Sequence, residues 1–227
     1  MRLRYVAPMS KRPIPYFFAP PVGPPPWPGL VVVHENLGLT RQMLHTCERL
    51  AGLGYAVLAP DLYGRFWGDG PLALERPFDQ TSIPAMTADL ESMVPRLREL
   101  GASRVGMVGF CMGGTLTYAA ATGDRGSDLA AAAIFYAYGV AQSLGTPRCP
   151  LLGQYSGRDE YITADDVEAV VAHHPDEIVL YPESGHGFMR EGSRSFEPAA
   201  AADAWQRLVA FLAEHVLEGA PAGVRAS

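Results

Sequence analysis

Arg104-Val105-Gly106-Met107-Val108-Gly109-Phe110-Cys111-Met112-Gly113-Gly114 runs from an apolar strand-like stretch, through a cysteine flanked by glycines, into the alanine-rich helical run Met112 to Thr122. Strand, tight turn and helix in that order make a nucleophile elbow. The turn is tight enough to force the central residue into strained backbone angles. Only small residues fit beside it, hence Gly109 two before and Gly113 two after. The thiol is thereby pushed out above the sheet at a helix N-terminus, where unpaired N–H groups and the positive dipole end favour thiolate and nearby oxyanions. The bland reading is a buried structural thiol, which is the default for an isolated Gly-x-Cys-x-Gly match. The strand before and the helix after favour chemistry, and Cys111 is assigned the nucleophile.

Outward from the elbow, strand-like and helix-like segments alternate from Leu30 onward, the pattern of an α/β fold: a mostly parallel sheet covered by helices on both faces. Strands are predicted over Leu30 to Val33, Tyr55 to Ala59, Val105 to Phe110, Ala131 to Tyr136, from Pro150 to Gly153, and over Glu177 to Tyr181. Helices are predicted over Arg41 to Leu53, capped by Thr40 and stopped at Gly54, over Asp165 to His173, and over Ala199 to Val216. Ala85 to Leu100 has helical spacing at Met86, Leu90, Met93, Leu97 and Leu100, but Pro95 predicts a kink or break. Before Leu30, the eight prolines from Pro13 to Pro28 crowd around Tyr16-Phe17-Phe18. An edge strand or short hairpin joined by an extended proline-rich turn fits residues 1–29 better than an SH3 ligand, because no basic anchor accompanies them. Gly219 to Ser227 reads as a frayed tail.

The chain has 227 residues, 48% hydrophobic and 19% charged, enough for one domain with a sizeable core. A net charge of −6, with 18 basic residues in no long run, excludes a footprint for nucleic acid or an anionic membrane. Cys47, Cys111 and Cys149 are odd in number and far apart, without zinc-site spacing, which suits a reducing cytoplasm. No segment reads as a signal peptide or membrane span, so a soluble cytoplasmic protein, monomer or homodimer, is expected.

An elbow nucleophile needs a base, and the base an orienting carboxylate, on loops beyond the C-terminal ends of later strands. The polar loop Gln154 to Glu160 offers Asp159, with Glu160 as the local alternative; taken alone, Asp159 would be read as a helix cap. Tyr181-Pro182-Glu183-Ser184-Gly185-His186-Gly187-Phe188 follows another strand, and glycines on both sides let His186 turn toward the thiol. Upstream, Val33-His34-Glu35-Asn36-Leu37-Gly38 ends the first core strand, where the second half of an oxyanion hole is built. Asn36 is the donor expected there, and Met112 supplies the other N–H. Glu35 in that place would oppose a developing oxyanion, so it needs a cation.

With these segments the chain resembles the dienelactone hydrolase family of α/β hydrolases. His34-Glu35 with Gly38, Pro60-Asp61-Leu62-Tyr63, the cysteine elbow, Asp159 and Gly185-His186-Gly187-Phe188 fall in family order over most of the chain. The resemblance implies the α/β-hydrolase fold, a Cys111, Asp159, His186 triad, no cofactor or metal, and a working role for Glu35. It further implies that Glu35 pairs with Arg190, four residues after the histidine, until a substrate carboxylate draws the arginine away and frees Glu35 to take the thiol proton. On spacing alone Arg190 is equally an ordinary exposed arginine. The family's further substrate-binding arginine and tyrosine cannot be placed between Tyr63 and Pro84; Arg65 or Arg76 are substitutes. Tyr63, Phe66 and Trp67, with Tyr136 and Tyr138, are read as an aromatic substrate pocket, the bland reading being core.

The function expected is hydrolysis of a small-molecule ester, lactone or thioester, carboxylated substrates included, through an acyl-thioenzyme. Two rivals remain: a non-hydrolytic cyclase, lyase or isomerase on the same scaffold, and a binding or redox-sensing protein with Cys111 as the sensor.

Overall fold

In the computed structural model of the chain, the described residues are 13–63 and 83–217. Arg65, Phe66, Trp67, Arg76 and the tail from Gly219 lie outside them. The seven strands are β1 (Tyr16–Ala19), β2 (Trp27–Val33), β3 (Ala56–Pro60), β4 (Ala102–Phe110), β5 (Ala132–Phe135), β6 (Leu151–Ser156) and β7 (Ile178–Tyr181). They form one sheet in the order β1-β3-β2-β4-β5-β6-β7. Every neighbouring pair is parallel except β1 with β3. The Tyr16-Phe17-Phe18 segment is therefore an edge strand. It pairs with β3, not with the β2 strand that follows it in sequence.

Period-two alternation divides the core between the two faces. Leu30 and Val32 of β2 join one apolar cluster with Met43, Cys47 and Leu50 of α1 (Arg41–Gly52) and Leu208 and Leu212 of α5 (Pro198–Leu212). Val31 and Val33 join the other, with Leu90 and Leu97 of α2 (Ile83–Glu99) and Leu116 of α3 (Met112–Thr122). The remaining helix, α4 (Ala164–His173), is capped by the Thr163 side chain on the Asp166 N–H. Thr40 caps α1 in the same way, and Gly54, at φ +99°, donates back to Ala51 as that helix ends.

Helix α2 corrects one expectation: it continues through Pro95 to Glu99 without a break. The proline removes the N–H that would reach the Glu91 carbonyl. Met93, Val94 and Leu97 on either side are buried in the second cluster, and that burial outweighs one lost hydrogen bond. Helix α5 also ends earlier than its amphipathic pattern suggests, passing at Ala213 into a π-helical turn that runs to Leu217. No helix among the described residues is long and apolar enough to cross a membrane.

The strand ends are in register at the site edge. Val33 stands beside Gly109, Phe110 beside Phe135, Phe135 beside Gln154, and Ser156 beside Tyr181. The loops that follow β2, β4, β5, β6 and β7 thus leave the sheet together. The strand order reverses between β2 and β4, and the crevice at such a switch point is where open α/β sheets bind ligands.

Candidate active site

Cys111 sits between β4 and α3 with φ 53° and ψ −120°, in the strained region that L-residues avoid. Its N–H donates to the Phe135 carbonyl at 2.9 Å and its own carbonyl accepts from Thr115, so both neighbouring elements hold the turn. The flanking glycines are required by close approach. A Cβ on Gly109 would run into the Gly113 carbonyl, and one on Gly113 into the carbonyls of Val33 and His34. The thiol is 4% exposed, at the floor of a cavity of about 400 Å³.

The loop after β6 brings Asp159 to the loop after β7. His186 Nδ1 lies 3.0 and 2.9 Å from the two Asp159 carboxylate oxygens. The same carboxylate accepts the Ser156 hydroxyl and the N–H groups of Tyr161, at 2.8 Å, and Ile162, at 3.1 Å. Burial alone would push the Asp159 carboxyl up, but the hydrogen bonds from His186 and Ser156 outweigh it and hold the pKa below the usual carboxylate range. Burial also pulls on His186, in the opposite sense, and is overcome by Asp159 and Cys111; its pKa is raised to about 9. With Nδ1 committed to Asp159, Nε2 is the free nitrogen. It is buried without a hydrogen-bond partner, while Cys111 is near enough to raise the ring's basicity.

Two tyrosine rings pack against that imidazole in edge-on fashion, Tyr136 at 5.0 Å and Tyr161 at 4.8 Å between centroids. Behind the loop, Glu197 accepts the Ser184 hydroxyl at 2.9 Å and the Gly185 N–H at 3.3 Å, pinning the approach to His186.

Glu35, 2% exposed, has its cation. Arg190 Nε and Nη2 both lie 2.7 Å from Glu35 Oε2, and the Tyr136 hydroxyl donates to Oε1 at 3.1 Å. Arg190 reaches back because the turn from Gly187, at φ +76°, closes through an Arg190 N–H to Gly187 carbonyl bond of 2.8 Å. Burial of Tyr136 and the adjacent Glu35 carboxylate keep its hydroxyl protonated, with a pKa raised well above the ordinary value. Its backbone is the second strained one, at φ 38°. His34 serves structure. Its Nε2 accepts the Leu62 N–H at 3.1 Å, so Nδ1 carries the proton and donates to the Glu35 carbonyl at 2.6 Å. Burial lowers its pKa, in keeping with a neutral ring.

The sequence-assigned residues Cys111, Asp159, His186, Glu35, Arg190 and Tyr136 are thus brought into one cluster. Asn36 lines the cavity beside Cys111. Met112 opens α3, and its sulfur accepts the Tyr63 hydroxyl at 3.3 Å. Tyr63 and Tyr136 are buried beneath the site, at 4% and 1% exposure, and are not among the described residues of the cavity wall. That wall includes Tyr138 and three residues that sequence reasoning did not assign to a pocket: Leu37, Tyr161 and Ser195. Ser156 and Glu197 were missed as supports, since nothing in the sequence marks a serine three before an acid, or a glutamate eleven after a histidine, as its prop. Among the described residues no group of His, Cys, Asp or Glu is arranged to hold a metal ion.

Comparison with known proteins identifies the family. The model of the "Dienelactone hydrolase family" matches residues 14–216. A protein of Salmonella typhi named "Putative carboxymethylenebutenolidase" is 31% identical over 88% of this chain and 82% of its own length. One of the same name from Escherichia coli K12 is 31% identical over 84% and 78%. The crystal structure of a "Putative Dienelactone Hydrolase" from Klebsiella pneumoniae superposes with a TM-score of 0.76 at 29% identity, covering 88% of this chain and 93% of that one. Est1E of Butyrivibrio proteoclasticus, 14% identical with a TM-score of 0.64, shares the fold. By its sequence, its sheet and its matched length, the chain belongs to the dienelactone hydrolase family.

Proposed function

We propose that the protein cleaves a small carboxylic ester, lactone or thioester through a covalent acyl-thioenzyme on Cys111. The observation that carries this reading is the Asp159–His186 pair, set with Nε2 unengaged at the cavity that holds the strained Cys111. The Cys111 sulfur attacks the carbonyl carbon, and the oxyanion forms against the N–H groups of Asn36 and Met112. The imidazolium of His186 gives its Nε2 proton to the leaving oxygen as the C–O bond breaks. Water then attacks the thioester carbonyl, losing a proton to Nε2, and the thiolate leaves.

In the resting state Glu35 is occupied by Arg190 and Tyr136. A substrate carboxylate that competes for Arg190 releases Glu35 to accept the thiol proton, so a carboxylated substrate raises the nucleophilicity of Cys111 above the basal level met by an uncharged activated ester. An idle thiol kept at that basal level is protected from oxidation.

The test is single-turnover reaction with p-nitrophenyl acetate, followed by mass spectrometry of the Cys111 peptide. Acetylation is expected in the native protein and absent in Cys111→Ala. In Asp159→Asn the adduct should persist, because deacylation depends on an oriented base. Glu35→Gln should slow acylation by a carboxylated lactone more than it weakens binding. Turnover without any Cys111 adduct in any variant defeats the proposal.

A further inference from the structure

The described cavity has one ionised side chain with nothing to pair it. Arg190 is matched by Glu35, and Asp159 by His186. Glu160 lines the same cavity, is exposed, and has no ion pair or hydrogen bond with any described residue. Its neighbour Tyr161 is 66% exposed, an unusual state for a large aromatic ring, yet packs on the His186 imidazole and lines the cavity. Leu37, 41% exposed, comes to the same mouth from the loop after β2.

The position of Tyr161 defines which part of a substrate it meets. His186 must deliver its proton to the leaving oxygen, so the leaving group has to lie alongside the imidazole. Tyr161 is the exposed ring that touches the imidazole. Its place is fixed by the catalytic pair itself, because its N–H donates to the Asp159 carboxylate at 2.8 Å. A leaving group held beside His186 in this cavity shares it with Tyr161 and Glu160.

We propose that Glu160 and Tyr161 form a leaving-group subsite that takes an aromatic alcohol and discriminates by charge, favouring cationic over anionic leaving groups. The proposal rests on the hydrolase reading above and adds to it a preference for the leaving group. The ring supplies an apolar face and, for a cation, a π surface; the carboxylate supplies the charge. Partial exposure limits the size of the effect. At the water-like dielectric of an exposed site, two unit charges a few ångströms apart change a rate ratio by about fivefold, and salt screens them over about 8–10 Å.

The experiment compares phenyl acetates whose ring carries a methyl, a carboxymethyl or a trimethylammoniomethyl group, on native protein, Glu160→Gln and Tyr161→Ala. The quantity read is the ratio of kcat/KM for the cationic ester to that for the anionic ester. Dividing the native ratio by the variant ratio cancels the intrinsic reactivity of each ester. A fall of about fivefold in Glu160→Gln is expected, with a similar fall in native protein at high salt. In Tyr161→Ala, KM for all three aryl esters should rise relative to KM for ethyl acetate. An unchanged ratio in Glu160→Gln, with Cys111-dependent turnover intact, overturns the subsite and leaves the hydrolase reading standing. Loss of all Cys111-dependent turnover of the uncharged ester in native protein overturns the hydrolase reading first, and the subsite with it.

Discussion

At His186 three neighbours compete, and the balance has a consequence for the two halves of the reaction. Burial lowers the basicity of the ring, while Asp159 and Cys111 raise it, leaving the pKa at about 9. The part owed to Cys111 is a hydrogen bond and charge attraction, both of which need an unacylated sulfur. Acylation removes it, and the imidazole becomes a weaker base just when it must give up its proton and accept one from water. In an NMR titration His186 should therefore titrate near 9 in the native protein and clearly lower in Cys111→Ala; equal values would exclude the sulfur's contribution. The same shifts set the direction of stability with pH. A raised histidine stabilises the fold fully below its ordinary value of 6.5, and that contribution is lost as pH rises through about 9. Asp159, held below its ordinary value, contributes above that value and is lost as pH falls through its lowered one.

Helix α2 shows how far local preference can be overruled. Pro95 lies twelve residues into a seventeen-residue helix whose apolar positions follow the helical period. Periodicity and proline give opposite readings, and burial of Met86, Leu90, Val94 and Leu97 against the sheet decides between them. Pro95 itself is on the exposed side, so its replacement disturbs no packing. Pro95→Ala restores the missing N–H toward Glu91 and removes the ring's clash with that carbonyl, a gain of up to ~3 kcal/mol in a helix interior. The alanine chain is also freer when unfolded, which costs about 0.4–1 kcal/mol. A net stabilisation of about 1–2 kcal/mol is expected in urea unfolding, with no change in the slope against denaturant. A destabilised variant would show that Pro95 contributes more to the native state than the hydrogen bond it costs.

Across the whole molecule, legibility in the sequence followed the range of the interaction. The elbow was readable because its glycines, strand and helix are neighbours in the chain, and the α/β layout because each strand carries its own apolar run. Gly185 and Gly187 marked His186 locally. Exposure at Tyr161 and Leu37, the burial of Tyr63 and Tyr136, and the props Ser156 and Glu197 depend on which loops meet above the sheet, and no local pattern encodes that. The Glu35–Arg190 pair joins residues 155 positions apart and was legible only through the family resemblance, since spacing alone left Arg190 an ordinary arginine. It ties the end of β2, near the start of the described chain, to the loop between β7 and α5, near its end. Glu35 is almost wholly buried and Arg190 mostly so, and a buried ion pair adds little to stability against an apolar pair of the same shape, whereas an orphaned buried charge is costly. The two single substitutions should therefore be unequal and non-additive. Arg190→Met strands the carboxylate among Tyr136 and the strand ends and should lower stability by about 3–5 kcal/mol. Glu35→Gln keeps an acceptor for Tyr136 and removes the charge, so the double variant Glu35→Gln, Arg190→Met should be more stable than Arg190→Met alone. Equilibrium unfolding of the four proteins gives the coupling directly. Additive effects would mean that Arg190 contributes to the fold independently of Glu35, and the pair could then separate for a substrate carboxylate without a cost felt by the rest of the molecule.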